Sequence, residues 1–295
     1  MILISPFTFG EEKSGPLIAV DWGSTNLRAC LLINAAVVEQ IETGDGIKNI
    51  PNGNFESVLG EHTADWRNKH SDCRFLLSGM IGSREGWVEV PYVQTPAGLS
   101  EIRAGLHRFE SPELGHIAIV PGISHENPDG TIDVMRGEES QVLELLADTG
   151  RGNAIICLPG THSKWIECRD GRIVRFRTWV TGEAFELLSS SPLLAKGDAP
   201  DCHSKAFGRG IELARKSESG LLHQLFLGRT EMLMGRVPAA DLPSLLSGLL
   251  ISTELCEAEI WLGENASREA FLPVGPSQLI DCYQVVIQHF KQKAD

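Results

Sequence analysis

Three turns and one helix start place polar side chains where chemistry could use them. In LIAVDWGSTNLRACLL, residues 17–32, an aspartate closes an apolar run and Gly23, Ser24, Thr25 and Asn26 follow it. An ionised carboxylate is costly to bury unpaired, so Asp21 must reach solvent or a compensating group. Small residues in such a turn let backbone N–H groups approach an anion, which makes a seat for phosphate oxygens. A carboxylate beside that seat would repel phosphate unless a cation such as Mg²⁺ stood between them, so Asp21 is a candidate metal ligand. A plain β-hairpin whose Asp and Asn shape the turn accounts for the same residues.

Two further turns are alike in kind. LPGTHSK, residues 158–164, offers Gly160, Thr161, Ser163 and Lys164 to phosphate and His162 to a substrate. VGPSQ, residues 274–278, offers Gly275 and Ser277 ahead of the last helix. Each turn alone is weak evidence, but paired hairpins can grip a phosphate chain from either side of a cleft. VMRGEESQ, residues 134–141, sets Glu138 and Glu139 at a helix start. A carboxylate there can accept the proton of an attacking hydroxyl. Glutamates in a first turn also simply suit the helix dipole, at about 0.3–1 kcal/mol each.

Arginine forks match the two oxygens of a carboxylate, which makes Arg28, Arg84 and Arg136 candidates for an acidic substrate; each suits a surface ion pair equally well. Trp22 and Trp87 stand near glycines and could wall a pocket or fill the core. At TWVTGE, Gly182 and Glu183 could reach a bound substrate, and Thr181 could equally cap the helix that begins there.

These residues need a scaffold, and the sequence supplies one. The 295 residues are 42% hydrophobic and 22% charged, enough for two globular domains. A formal charge of −13 without basic clusters argues against a nucleic-acid partner. No stretch approaches the roughly 18–20 apolar residues of a membrane span, and the first fifteen residues lack the marks of a signal peptide, so the reading is a cytoplasmic protein with a short tail over residues 1–15. The seven cysteines and nine histidines show neither C-x-x-C nor H-x-x-x-H spacing, so no protein-ligated transition metal is expected.

Periodicity predicts three short strands over residues 16–42, a helix over 55–68, a buried strand from Arg74, a helix from Leu99 to Phe109 and a helix from about Glu138. Residues 153–180 repeat the order of elements of residues 17–42, and the chain is mainly helical from Thr181. The expected domains are 16–140 and 141–295.

In order along the chain, VDWGSTNLRACL, LLSGMIGSREGWVEVPY, VMRGEESQ, LPGTHSKW, RTWVTGE and SLLSGLLISTEL resemble the 2-dehydro-3-deoxygalactonokinase family, sugar-acid kinases of the sugar kinase, Hsp70 and actin superfamily. The resemblance runs over most of the chain from about residue 17. It implies an α/β fold of two RNase H-like, actin-like ATPase domains flanking a nucleotide cleft. It also implies ATP-dependent phosphorylation, with Mg²⁺, of the terminal hydroxyl of 2-dehydro-3-deoxy-D-galactonate.

On this resemblance Asp21 to Asn26 form the first phosphate loop, with Asp21 facing the metal. LPGTHSKW resembles the second phosphate loop, though it lacks a second glycine found in many relatives. Glu138 or Glu139 is the base, VGPSQ is the adenosine side, and Asn26, Arg28, Arg84, Trp87, Arg136 and His162 meet the sugar acid. The family pattern continues beyond the last helix whereas the chain stops at HFKQKAD, which leads to an expectation of weaker ATP binding or domain closure. A kinase-like protein that binds sugar acid or nucleotide without turnover therefore stays open beside the active enzyme. A homodimer is compatible with the sequence.

Overall fold

A computed structural model describes residues 15–190, 197, 199–216, 219–263 and 271–292. Of the expected tail over residues 1–15, residues 1–14 lie outside the described residues. The chain divides into two compact units: residues up to Asn153 with Glu167–Phe176, and Ala154–Ile166 with Arg177 onward.

The first unit opens with β1 (Leu17–Trp22), β2 (Leu27–Ile33) and β3 (Ala36–Thr43). There follow α1 (Phe55–His62), α2 (Ala64–Lys69), β4 (Arg74–Gly79), β5 (Val93–Gln94), α3 (Leu99–Gly105), β6 (His107–Ser111), β7 (Gly115–Ile119), β8 (Ile123–Glu126), β9 (Ile132–Met135) and α4 (Glu138–Thr149). Six strands form one sheet in the order β3-β2-β1-β4-β7-β6, and β5-β8-β9 form a small second sheet. β1 runs antiparallel to β2 and parallel to β4, so it is a central strand and its apolar run is buried on both faces.

Strand alternation then decides which side chain goes where. Ile18, Val20 and Trp22 join one core with Phe55, Leu59 and Trp66 of α1 and α2. Asp21 belongs to the opposite face, in register with Arg28 on one neighbour and Ser78 on the other.

Two expectations needed correction. The helical stretch over 55–68 breaks at Thr63, whose side-chain hydroxyl donates to the Leu59 carbonyl and whose backbone is non-helical. The helix expected to reach Phe109 ends at Gly105, because residues 107–111 pair with β7 at the sheet edge. Edge pairing satisfies that backbone, and the alternating pattern of HRFES suits a strand with one face turned outward.

A four-stranded sheet has the order β12-β11-β10-β13, from β10 (Ala154–Leu158), β11 (Ser163–Arg169), β12 (Arg172–Trp179) and β13 (Phe271–Pro273), with the end of β11 and most of β12 counted in the first unit. β10 and β13 are parallel, as β1 and β4 are. Each sheet thus sets three successive strands beside a later parallel one, the order of an RNase H-like domain. The helices are α5 (Thr181–Ser189), α6 (Lys205–Lys216), α7 (Leu221–Leu233), α8 (Leu242–Leu262) and α9 (Ser277–Gln292). α8 is the buried axis: its Ile251, Leu255 and Ala258 share a core with Trp165, Phe207, Phe271, Tyr283 and Val286. No described helix is long and apolar enough to cross a membrane.

Candidate active site

Asp21 stands at the sheet edge where β1 ends, with a third of its side chain exposed and Arg28 at 3.9 Å. Burial raises its carboxyl pKa, Arg28 pulls it down, and the charge of Glu138 pushes it up. The turn that follows is held from one side. The amides of Gly46, Ile47 and Lys48 donate to the carbonyls of Thr25, Gly23 and Ser24. In a trans peptide the N–H points opposite to the C=O. The amides of Ser24, Thr25 and Asn26 therefore face away from residues 46–48, on a turn where Thr25 and Asn26 are exposed. Three successive N–H groups turned one way can receive an anion.

Glu138 and Glu139 begin α4 and are treated differently. Glu138 is half-buried and accepts the Arg136 amide at 3.1 Å. Glu139 is 0% exposed and accepts the Gly137 amide at 2.7 Å. Burial first, then the Glu138 charge, push Glu139 up to about 8, so at neutral pH it is mostly a neutral acid. Two glycines let this helix start approach Asp21. A side chain on Gly79, where φ is +88°, would meet the Trp22 carbonyl at 2.8 Å and an Asp21 oxygen at 3.2 Å. Gly137, φ +108°, passes so close that its missing Cβ would lie 3.4 Å from the Gly79 Cα.

Asp21 thus has the charge of Glu138 nearby and Arg28 at 3.9 Å, and Glu139 follows at the same helix start. Asp21 and Glu138 are the residues that could hold a divalent cation here.

The arginines and tryptophans separate. Arg28 is forked onto Glu42, at 2.9 and 2.8 Å, as well as facing Asp21. Arg136 stacks over Tyr92 at 4.4 Å and donates to the Val90 carbonyl, while its Nε and Nη1 are buried with no hydrogen-bond partner. Arg84 is 86% exposed and pairs loosely with Glu89. Trp22 is in the core, edge-on to Phe55 with its indole N–H on the Asp45 carbonyl, so it walls no sugar pocket. Trp87 packs against the same core and edge-on to Phe109.

In the second unit, the loop at Gly160 and Thr161 is fastened to the start of α5. The Glu183 amide donates to the Thr161 carbonyl, and a Cβ on Gly182 would sit 2.3 Å from the Gly160 carbonyl oxygen. His162 is exposed and bonded to Glu183 at 2.8 Å. Ser163 and Lys164 are not presented at the loop. They begin β11, which is buried along nearly its whole length, and are themselves buried. Ser163 is hydrogen-bonded to the Tyr283 hydroxyl at 2.8 Å.

Gly160 and Thr161 form one lip of a cavity of about 500 Å³, lined otherwise mainly by apolar groups including Phe185, Leu250, Ile251 and Leu279. That volume suits a nucleoside beside a phosphate loop. Pro276 and Gln278 line the cavity, whereas Gly275 and Ser277 flank them without lining it.

Comparison with known proteins gives the family. The family model for 2-keto-3-deoxy-galactonokinase matches residues 21–295. The chain belongs to this family. Within it, the 2-dehydro-3-deoxygalactonokinase of Escherichia coli (strain K12) is 34% identical over 92% of this chain and 89% of its own. A probable 2-dehydro-3-deoxygalactonokinase of Rhizobium meliloti (strain 1021) is 31% identical over 93% of this chain and 90% of its own. A crystal structure of a protein described as a candidate member from Sinorhizobium meliloti superposes with a TM-score of 0.83 at 31% identity, covering 92% of this chain and 90% of that one.

This member of the galactonokinase family also carries residues that motif reading passed over. Glu254 on α8 accepts from the Trp165 indole N–H and the Tyr283 hydroxyl, each at 2.7 Å, under the cavity that Tyr283 lines. Burial raises its carboxyl, and bonds from Thr181, Tyr283, Trp165 and Ser163 pull it back. A signal was present: one glutamate inside the apolar run SLLSGLLISTEL. The cavity walls gave none, since Phe185, Leu250 and Leu279 look like ordinary helix core in sequence.

Proposed function

We propose that the chain transfers the γ-phosphoryl group of ATP to the terminal hydroxyl of 2-dehydro-3-deoxy-D-galactonate, giving the 6-phosphate and ADP. The observation that carries this reading is the approach of the α4 start, with Glu138, to Asp21 at the end of β1, beside a turn whose amides face outward. Glu138, half-buried and held by the Arg136 amide, takes the proton of the attacking hydroxyl. Its neighbour Glu139 stays protonated near neutrality and so adds no second charge. The amides of Ser24, Thr25 and Asn26 receive phosphate oxygens, and Asp21 holds the divalent cation. That cation, Mg²⁺ in this reading, neutralises phosphate charge when bound.

The sugar-acid carboxylate goes to Arg136, whose buried Nε and Nη1 lack acceptors, since leaving such donors unpaired costs about 1–3 kcal/mol. Arg84 is too exposed to favour that role. In the second unit the 500 Å³ cavity takes the nucleoside, with Gly160 and Thr161 on its phosphate side.

A coupled ADP-release assay with a panel of sugar acids tests this. Release dependent on a 2-keto-3-deoxy acid is expected. Binding of the acid with no dependent ADP release would favour the non-catalytic alternative, which no observation of this chain now supports.

A further inference from the structure

Away from the acid cluster, the second unit brings two dipeptides together: Cys202-His203, just before α6, and Asp281-Cys282 in α9. Asp281 Oδ2 is 2.9 Å from His203 Nε2 and accepts from Cys202 Sγ at 3.5 Å. One donor atom from each of Cys202, His203 and Asp281 lies within 4.8 Å of the others, and among the described residues no other such trio occurs. The Cys282 thiol neighbours that of Cys202 but lies outside this trio.

We propose that Cys202, His203 and Asp281 form a binding site for a borderline-soft divalent cation of the zinc type. A sulfur, an imidazole and a carboxylate are three corners of a tetrahedral donor set for such an ion, with the fourth open to water. Mg²⁺ and Ca²⁺ ask for a shell of oxygens instead. Bond lengths of about 2.0–2.3 Å in a tetrahedron place the donors about 3.3–3.8 Å apart. The contacts of 2.9 and 3.5 Å need to change by well under an ångström to reach that spacing.

The ion has a way in, because the His203 and Asp281 side chains are 65% and 49% exposed. Without it, Asp281 serves as acceptor for both Cys202 and His203. Binding breaks those hydrogen bonds, forms one metal–sulfur bond and releases the Cys202 thiol proton to solvent. The ion would tie the turn before α6 to α9, whose Cys282 also lines the nucleoside-sized cavity. Motif search misses the site because 79 residues separate Cys202 from Asp281.

The test uses the full chain without an affinity tag, titrated with Co²⁺ and then with Zn²⁺ against a chromophoric chelator. Expected are one ion per chain, thiolate-to-cobalt charge-transfer absorption with the strong visible bands of a tetrahedral site, and full displacement by Zn²⁺ but not by excess Mg²⁺. Cys202→Ser should abolish the charge-transfer absorption. His203→Ala, at an exposed position, should keep the fold and lower zinc affinity by more than about tenfold, the scale on which even outer-shell partners act. Absence of the charge-transfer bands, or equal zinc affinity in wild type and His203→Ala, overturns the site.

Discussion

Glu139 in the first unit and Glu254 in the second are both buried carboxyls held above the usual range by desolvation, yet their surroundings differ. Glu254 has its oxygens occupied by an indole N–H and a phenol O–H, contributed by β11 and α9. Glu139 accepts from backbone amides, that of Gly137 at 2.7 Å and its own, and from the Ser140 hydroxyl at 3.3 Å, with a second carboxylate next to it. One arrangement is filled with partners and ties helices and strands together. The other sets an acid pair at a helix start that approaches Asp21. A buried carboxyl tied by neutral side chains reads as architecture, and adjacent carboxyls at a strand end read as chemistry.

The contrast breaks most visibly in turnover. Glu138→Gln is expected to lower kcat by about 10²–10⁴ while leaving KM for ATP within about threefold. Steady-state kinetics decide it, and an equal loss in Glu139→Gln alone would move the base to that residue.

Next in size is stability of the second unit. Glu254→Ala strips the acceptor from Trp165 and Tyr283, at about 1–3 kcal/mol for each stranded donor, so chemical denaturation should show a loss of about 2–5 kcal/mol. Little change there would mean that Glu254 is not the tie it looks to be.

Glu139 makes a smaller, pH-dependent contribution. Its folded-state pKa of about 8 exceeds the ordinary 4.5, so the folded state holds the proton more tightly. That stabilisation is complete below about pH 4.5 and fades as pH rises through 8. Glu139→Gln, a neutral mimic, should flatten the decline of melting temperature over that window, and parallel profiles would argue against a protonated Glu139.

The mildest effect expected is at the cavity wall. Leu279→Ala removes apolar contact and should raise KM for ATP by about three- to tenfold without moving KM for the sugar acid. A shift in the sugar-acid constant alone would reassign the cavity.

Much of this was legible in the residues. The apolar run ending in Asp21 announced a buried strand with a charged exit, the glycines around Ser24 and Ser78 announced close turns, and Glu138-Glu139 announced a helix start. Ser163 and Lys164 were misplaced because HSKW does not say whether the strand it starts is an edge or is buried on both faces. Trp22 was ambiguous for the same kind of reason until the face opposite Asp21 acquired α1 and α2.

Sequence by itself determined the family, the α/β pattern and the acid residues, because these depend on local order: periodicity, turn chemistry and motifs a few residues long. Only the tertiary structure decided which carboxyl is protonated, which arginine lacks partners, where a nucleoside-sized cavity opens and that Cys202 meets Asp281. Those are properties of desolvation and through-space distance. They arise from packing elements remote in the chain, which no short window of residues contains.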